Sequence, residues 1–389
     1  MTDRPTRVLF YVQHLLGIGH LARASRIASA LVERGAAVTM VTGGLPVAGF
    51  PPPGVPHVAL PAVRASDEGF KGLADAAGVP VDAAFLDARR DRLLALFHDF
   101  APDVVVTEAF PFGRRQMRFE LLPLLDAVAA ARPRPILCCS VRDILQAQTK
   151  PGRDAETVAL VRAHFDRVLV HGDPGFARIE DSFPLADQIA DRVVYTGLVA
   201  PPPVTAADHG FDIVVSAGGG AVGAGLAQAA IGAAALLPAD LRWCVITGPN
   251  LPEADRTALA AQAAVLGRDV TVEVFRKDFA GLLAASRLSV SQTGYNTVCD
   301  VLQAGCRSVL VPYAAGGETE QAARAARLAA AGRATVVTEA ELKPATLAAR
   351  IAAALAAPDP ARLDLALDGA ARTAMILCDA AQPAHRAGQ

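Results

Sequence analysis

His20 is the side chain in this sequence best placed to move a proton. It follows Gln13-His14-Leu15-Leu16-Gly17-Ile18-Gly19 and opens a stretch whose apolar residues Leu21, Ala24, Ile27 and Leu31 recur at helical spacing, with Gly35 as a stop. An imidazole at a helix N-terminus has its pKa lowered by the dipole and accepts a proton near neutral pH. His14, in the same loop, is the alternative base, and a capping role for His20 is the competing reading. Gly17 and Gly19 allow a tight turn and close approach of a ligand, while the free N–H groups of a helix start suit an anion. The string Gly17-Ile18-Gly19-His20-Leu21-Ala22 also satisfies the G-x-G-x-x-A dinucleotide fingerprint. The NAD reading fails at the second strand, which ends Val41-Thr42-Gly43-Gly44 where an acidic residue should meet the ribose.

A second glycine loop, Ser216-Ala217-Gly218-Gly219-Gly220-Ala221-Val222-Gly223, lies between a β-rich run and an Ala-rich helical one. Its exposed amides can cradle a diphosphate, and a simple tight turn would need fewer glycines. With no G-x-x-x-x-G-K-[ST] string, it is not an ordinary P-loop. A third cluster, Glu108-Ala109-Phe110-Pro111-Phe112-Gly113-Arg114-Arg115, offers Glu108, Arg114 and Arg115 to an acceptor, the arginines as a clamp for an anionic group. A solvated loop with its aromatics Phe110 and Phe112 turned inward is the other reading. Arg142-Asp143 and His171-Gly172-Asp173-Pro174 follow the next two strands in the same way.

The elements that must hold these residues alternate between short β-rich runs and Ala-rich helices, the pattern of parallel βα units. Strands are expected at 8–12, 37–42, 103–107, 135–141, 168–171 and 193–197, then at 212–216, 242–247, 270–275, 288–291, 308–312 and 334–337. Between the two series, Pro201-Pro202-Pro203 marks a semi-rigid linker. The chain therefore divides into an N-terminal Rossmann-like domain (1–200), a linker (201–210), a C-terminal Rossmann-like domain (211–360) and a helical tail (361–389) free to cross back. Two such α/β halves, each on a parallel sheet, face each other across a cleft, with ligands beyond the carboxyl ends of the strands. A net charge of −2 gives no global field for nucleic acid. The six cysteines lack metal-finger spacing and read as buried thiols. No apolar run reaches about 18 residues, so the expected location is cytoplasmic, with peripheral contact at the inner face of the membrane left open.

The stretch from Ser289 to Gly305 (Ser-Val-Ser-Gln-Thr-Gly-Tyr-Asn-Thr-Val-Cys-Asp-Val-Leu-Gln-Ala-Gly), continued by Val311-Pro312-Tyr313 and Gly317-Glu318-Thr319-Glu320-Gln321-Ala322-Ala323-Arg324, resembles the C-terminal domain of the MurG-like family 28 glycosyltransferases. The resemblance is good over roughly 212–340, extends to the loop near 13–26 and is weak over about 45–200. It implies the GT-B fold and a UDP-sugar donor. Thr293, Gly294 and Asn296 would face the donor diphosphate with Gly17, Gly19, Ser216, Gly218, Gly219 and Gly220. Asp300, in place of the family's Glu, would bind the ribose. Glu320 and Gln321 would lie near the sugar and phosphates, with Glu320 a departure from the family's Gln-Gln. The backbone after Phe275 would read the base, with Arg276 beside it. The implied reaction is inverting hexosyl transfer to an acceptor hydroxyl, His20 serving as base, the acceptor lipid-linked or anionic; because family acceptors are often lipid-linked, the resemblance also implies that Phe110 and Phe112 touch a membrane surface. The nucleotide-sugar is a substrate, so no cofactor is expected, and without an Asp-x-Asp motif no metal is expected either. An epimerase on the same fold and a non-catalytic nucleotide-sugar-binding subunit are the alternatives.

Overall fold

The computed structural model describes residues 4–15, 17–65, 72–148, 150–206, 210–218 and 223–382. They form two compact units, one made of residues 1–199 with 368–389 and the other of residues 200–367.

In the first unit, β1 (Arg7–Val12) runs into α1 (Gly19–Glu33), followed by β2 (Ala37–Thr42), β3 (His57–Ala59), a hairpin of β4 (Arg64–Ala65) and β5 (Leu73–Ala74), and α2 (Ala83–Phe100). Then come β6 (Val104–Glu108), α3 (Arg118–Ala130), β7 (Ile136–Arg142), α4 (Arg153–His164), β8 (Arg167–His171) and β9 (Val193–Tyr195). The sheet order is β3-β2-β1-β6-β7-β8-β9, with every pair parallel. Consecutive strands leave β1 in opposite directions, which puts a topological switch point beside it, where open α/β sheets bind ligands. One face of the sheet packs Leu9, Tyr11, Val105, Leu137, Cys139, Val168 and Val170 into a core with α2 and α3 residues such as Leu93, Phe97, Leu121 and Leu125. Side chains alternate along a strand, so Val104, Val106 and Glu108, like Cys138 and Ser140, point to the other face. That face is covered by α1, whose Leu21, Ala24, Ile27 and Leu31 are buried as their spacing predicts.

The second unit comprises β10 (Ile213–Ser216), α5 (Ala224–Ala234), β11 (Trp243–Ile246), α6 (Glu253–Val265), β12 (Val270–Glu273), α7 (Phe279–Ala285), β13 (Leu288–Ser291), α8 (Tyr295–Ala304), β14 (Arg307–Leu310), α9 (Glu320–Ala330), β15 (Thr335–Val336) and α10 (Pro344–Ala356). Its parallel sheet runs β12-β11-β10-β13-β14-β15. Small Ala side chains on α5 let that helix settle closely on Ile213, Val215, Trp243 and Val290. The expected helical tail is shorter than its sequence suggests. Residues 358–368 carry no helix, and α11 (Gly369–Ala380) begins only after Asp368 has bridged Val199. Gly369 sits on the backbone of Gly197, where a Cβ would come within 2.3 Å of its carbonyl oxygen. From there α11 packs along α1.

Candidate active site and donor-binding segments

The site in the first unit is built around a carboxylate that has no contact with solvent. Glu108 ends β6 and is 0% exposed, a position that is costly for a charge unless partners meet it. Three do. His20 Nδ1 lies 2.9 Å from Oε1, the Arg23 guanidinium bonds the same oxygen, and the Ser140 hydroxyl donates to Oε2. Burial alone would raise the carboxyl pKa, but Arg23 and the bonds from His20 and Ser140 overcome it and hold the group at about 2. Arg23 follows His20 by three residues on α1, so one helical face delivers both.

An ionised Glu108 can only accept, so the His20 proton sits on Nδ1 and the lone pair is left on Nε2. The ring is 18% exposed. Its pKa is lowered to about 3, by burial first and the Arg114 charge second, against the opposing pull of Glu108. The imidazole is thus neutral as expected, but burial and Arg114 outweigh the helix dipole as the cause. His14, the alternative base, is more deeply buried than His20. It is 6% exposed, its Nε2 is 2.9 Å from the Leu45 carbonyl, and Gly44 lies flat against its ring.

The acceptor cluster needs revision. Glu108 is the partner of His20 and too deeply buried to touch an acceptor. Arg115 turns away to pair with Glu156, which Arg118 also bonds. Arg114 lies beside His20: it adopts a left-handed backbone (φ 58°), its Nε donates to the Gln13 carbonyl at 2.6 Å, and burial lowers its pKa to about 10. A non-glycine residue in that region is strained and persists only where its surroundings enforce it. Phe110 and Phe112 are core residues, 1% and 9% exposed, with Phe112 edge-on to Phe183. They present nothing to a membrane.

Sequence reasoning missed what stands behind this site. Arg89 and Glu120, both 0% exposed, form a bidentate pair that also bonds Tyr11, and Arg89 NH2 donates 2.6 Å to Gln13 Oε1. This buried brace fixes the residue that leads into the first glycine loop. Gly17 has an ordinary backbone, and a Cβ there would meet nothing within 4 Å, so neither strain nor packing in the protein itself requires glycine. Gly19 is the first residue of α1, which carries neither a side-chain cap nor an acidic first turn.

In the second unit, Ser216 ends β10 and Gly218 takes φ 79° with its α-carbon against Gln292, whereas Gly219 and Gly220 lie outside the described residues. α5 and α8 also start without side-chain caps or acidic first turns. A cavity of about 450 Å³ opens at the start of α5, lined by Gly225, Gln228, Gln292, Val311 and Glu339 among others. Gly294 caps α8, and a Cβ there would also meet open space. Asn296 is half-buried in the first turn of α8, and Asp300 is 7% exposed on the same helix, so it is no solvated surface charge.

Gln321 binds two loops together. Its Oε1 accepts from Thr293 N at 3.1 Å and Tyr313 N at 3.2 Å, joining the segments after β13 and β14. The Thr293 amide is therefore already used, while its hydroxyl oxygen is buried with no hydrogen-bond partner among the described residues. Arg324, 0% exposed, donates 2.9 Å to the Thr293 carbonyl and lies 3.8 Å from Glu320, itself 3% exposed. Phe275 is 43% exposed, but the Arg276 guanidinium is folded back onto Glu273 and Asp278. Among the described residues, no group of three or more His, Cys, Asp or Glu could hold a metal, and no helix is long and apolar enough to cross a membrane.

Residues 214–366 match the glycosyltransferase family 28 C-terminal domain. The match spans most of the second unit. Among curated proteins, the chain is 35% identical over 188 residues to the UDP-N-acetylglucosamine–N-acetylmuramyl-(pentapeptide) pyrophosphoryl-undecaprenol N-acetylglucosamine transferase of Agrobacterium fabrum, covering 45% of this chain and 49% of that one. The enzyme of the same name from Rhodospirillum centenum is 35% identical over 150 residues, 39% of this chain and 38% of that one. The chain thus spans about half the length, or less, of the curated relatives it matches. Solved structures align along nearly all of it. The calicheamicin glycosyltransferase CalG4 superposes with a TM-score of 0.59 at 18% identity, covering 99% of this chain and 97% of that one. MurG of Acinetobacter baumannii gives 0.56 at 16%, covering 96% and 99%. The fold class is that of the GT-B glycosyltransferases, two α/β units each on a parallel sheet.

Proposed function

We propose that this chain transfers a hexosyl group from a nucleotide-sugar to an acceptor hydroxyl with inversion, with His20 as general base. The observation that carries the reading is the His20–Glu108 pair. A buried, ionised carboxylate fixes the proton on Nδ1 and leaves Nε2 with its lone pair, in a chain whose other unit matches the family 28 C-terminal domain. The acceptor O–H gives its proton to Nε2 as its oxygen attacks the anomeric carbon. The bond from that carbon to the diphosphate breaks, and the nucleoside diphosphate leaves with the electron pair. Its charge is met by the dipoles and backbone amides at the starts of α5 and α8, without need of a metal. UDP is the favoured nucleotide because the relatives are named as UDP-N-acetylglucosamine enzymes. Their names also put a lipid pyrophosphate in the acceptor, which makes an anionic, membrane-associated acceptor and peripheral membrane contact the working expectation here. Arg114 is the cation to meet such an acceptor.

The test is a panel of UDP-sugars followed by NMR, with the native chain and His20→Asn. Transfer or donor hydrolysis by the native chain, lost by about 100- to 10,000-fold in the variant, is expected. An Asn variant with near-normal turnover would remove His20 from the chemistry, and epimerisation without UDP release would replace transfer.

A further inference from the structure

Three polar side chains beyond Glu108 reach no solvent, yet they continue its hydrogen bonding across the sheet. Ser140, His171 and Thr196 are each 0% exposed. Ser140 pairs with Glu108 in the β6–β7 register, and Leu169, two residues before His171, pairs with Ser140 in the next. Glu108, Ser140 and His171 therefore share the α1 face of the sheet. Ser140 Oγ lies 2.8 Å from His171 Nε2, and His171 Nδ1 lies 2.8 Å from Thr196 Oγ1. The proton positions follow from one end. Glu108 is ionised and only accepts, so the Ser140 hydroxyl spends its single proton on Oε2. Ser140 Oγ must then accept from His171 Nε2–H. The ring is neutral, because burial and the charge of Arg23 hold its pKa down to about 3 against the pull of Glu108. Its Nδ1 is therefore an acceptor for the Thr196 hydroxyl. Such a chain is an expensive way to fill a core that valine and leucine would fill more simply.

We propose that Ser140 and His171 are positioning residues for proton transfer at His20, their directed hydrogen bonds locking the Glu108 carboxylate in the orientation that keeps the His20 proton on Nδ1. The inference rests on His20 as the base. It makes the two histidines opposite tautomers: Nδ1–H at His20, with Arg23, Arg114 and Glu108 as its charged neighbours, and Nε2–H at His171, with Arg23 and Glu108.

Long-range ¹H–¹⁵N NMR of the ¹⁵N-histidine-labelled full chain reads each ring directly. The native protein should show these opposite tautomers, both neutral at pH 7. Ser140→Ala should mix the tautomers of His20 and lower kcat about tenfold, the scale of supporting-residue effects. KM for the UDP-sugar turned over fastest in the panel should not change, and Ser140→Thr should restore both readouts. If Ser140→Ala does not fold, His171→Gln, which keeps an N–H donor toward Ser140, should retain the His20 tautomer, and His171→Leu should lose it. A native His20 protonated on Nε2, an unchanged kcat in folded Ser140→Ala, or a loss that threonine does not repair would each overturn the proposal. Near-normal transfer by His20→Asn would instead fell the base assignment, while leaving the measured tautomers to stand as structure alone.

Discussion

Acid should unfold the first unit through its neutral histidines. His20 and His171 are held at about 3 in the folded chain against an ordinary value of 6.5. Between those values the unfolded chain binds a proton at each ring and the folded chain does not, so stability rises with pH through that window. The contribution is complete above about pH 6.5 and is lost as the pH falls toward 3. Each ring gives a slope of about 1.4 kcal/mol per pH unit, so the pair gives about 2.7. At pH 5, roughly 1.5 pH units below the ordinary value, the loss is about 4 kcal/mol, a large share of the 5–15 kcal/mol typical of a domain. His14, whose pKa burial also lowers, adds to the slope with the same sign. Urea unfolding from pH 7.5 to 4.5, followed by far-UV circular dichroism, measures it. Trp243 is the sole tryptophan and lies in the second unit, so its fluorescence reports that unit separately. In His171→Phe one proton should disappear from the slope whatever the variant's absolute stability. A first-unit midpoint that stays flat between pH 6.5 and 4.5, or a slope unchanged in the variant, would refute the reasoning.

Asp300→Ala should weaken UDP binding about tenfold by calorimetry and leave pyrophosphate binding alone, since its proposed partner is the ribose; equal losses would place Asp300 elsewhere. Arg324→Ala removes a buried cation from Thr293 and Glu320 and should cost the second unit about 3–5 kcal/mol, read from the Trp243 unfolding midpoint. A cost below about 1 kcal/mol would mean that Glu320 is not held as a charge by Arg324. Arg114→Gln should raise the His20 pKa in an NMR titration, because Arg114 is the main charge lowering it, whereas Arg115→Gln should leave it where it is.

Periodicity made most of the fold legible, because the long strands are continuous apolar runs and α1 shows its buried face at regular spacing. The short strands β3, β4 and β5 have two or three residues each, too few for any period to show. Glu108 was visible but misassigned. Carboxylates are ordinarily exposed, and only its alternation with Val104 and Val106 places it inside, on the face that α1 covers. The buried arginines were not legible, since Arg23 meets Glu108 from 85 residues away and Arg89 meets Glu120 from 31. Arg23 did leave one signal, its place three residues after His20. Gln321 was expected at the donor and is found to spend one end on two loop amides, a role that spacing alone could not distinguish from ligand contact.

The bridge between Val199 and Asp368 has a consequence for synthesis. α11 covers α1 but is encoded after the whole second unit, about 170 residues downstream of Val199. At the usual 5–20 residues per second, the ribosome takes on the order of ten to thirty seconds to cross that interval. For that time the newly made first unit holds α1 without its cover, and Gly197 and Val199 wait for Asp368 and Gly369. Folding of the first unit is thus completed only after the second has been made, so a ribosome stalled inside the second unit leaves behind a first unit that lacks its last helix.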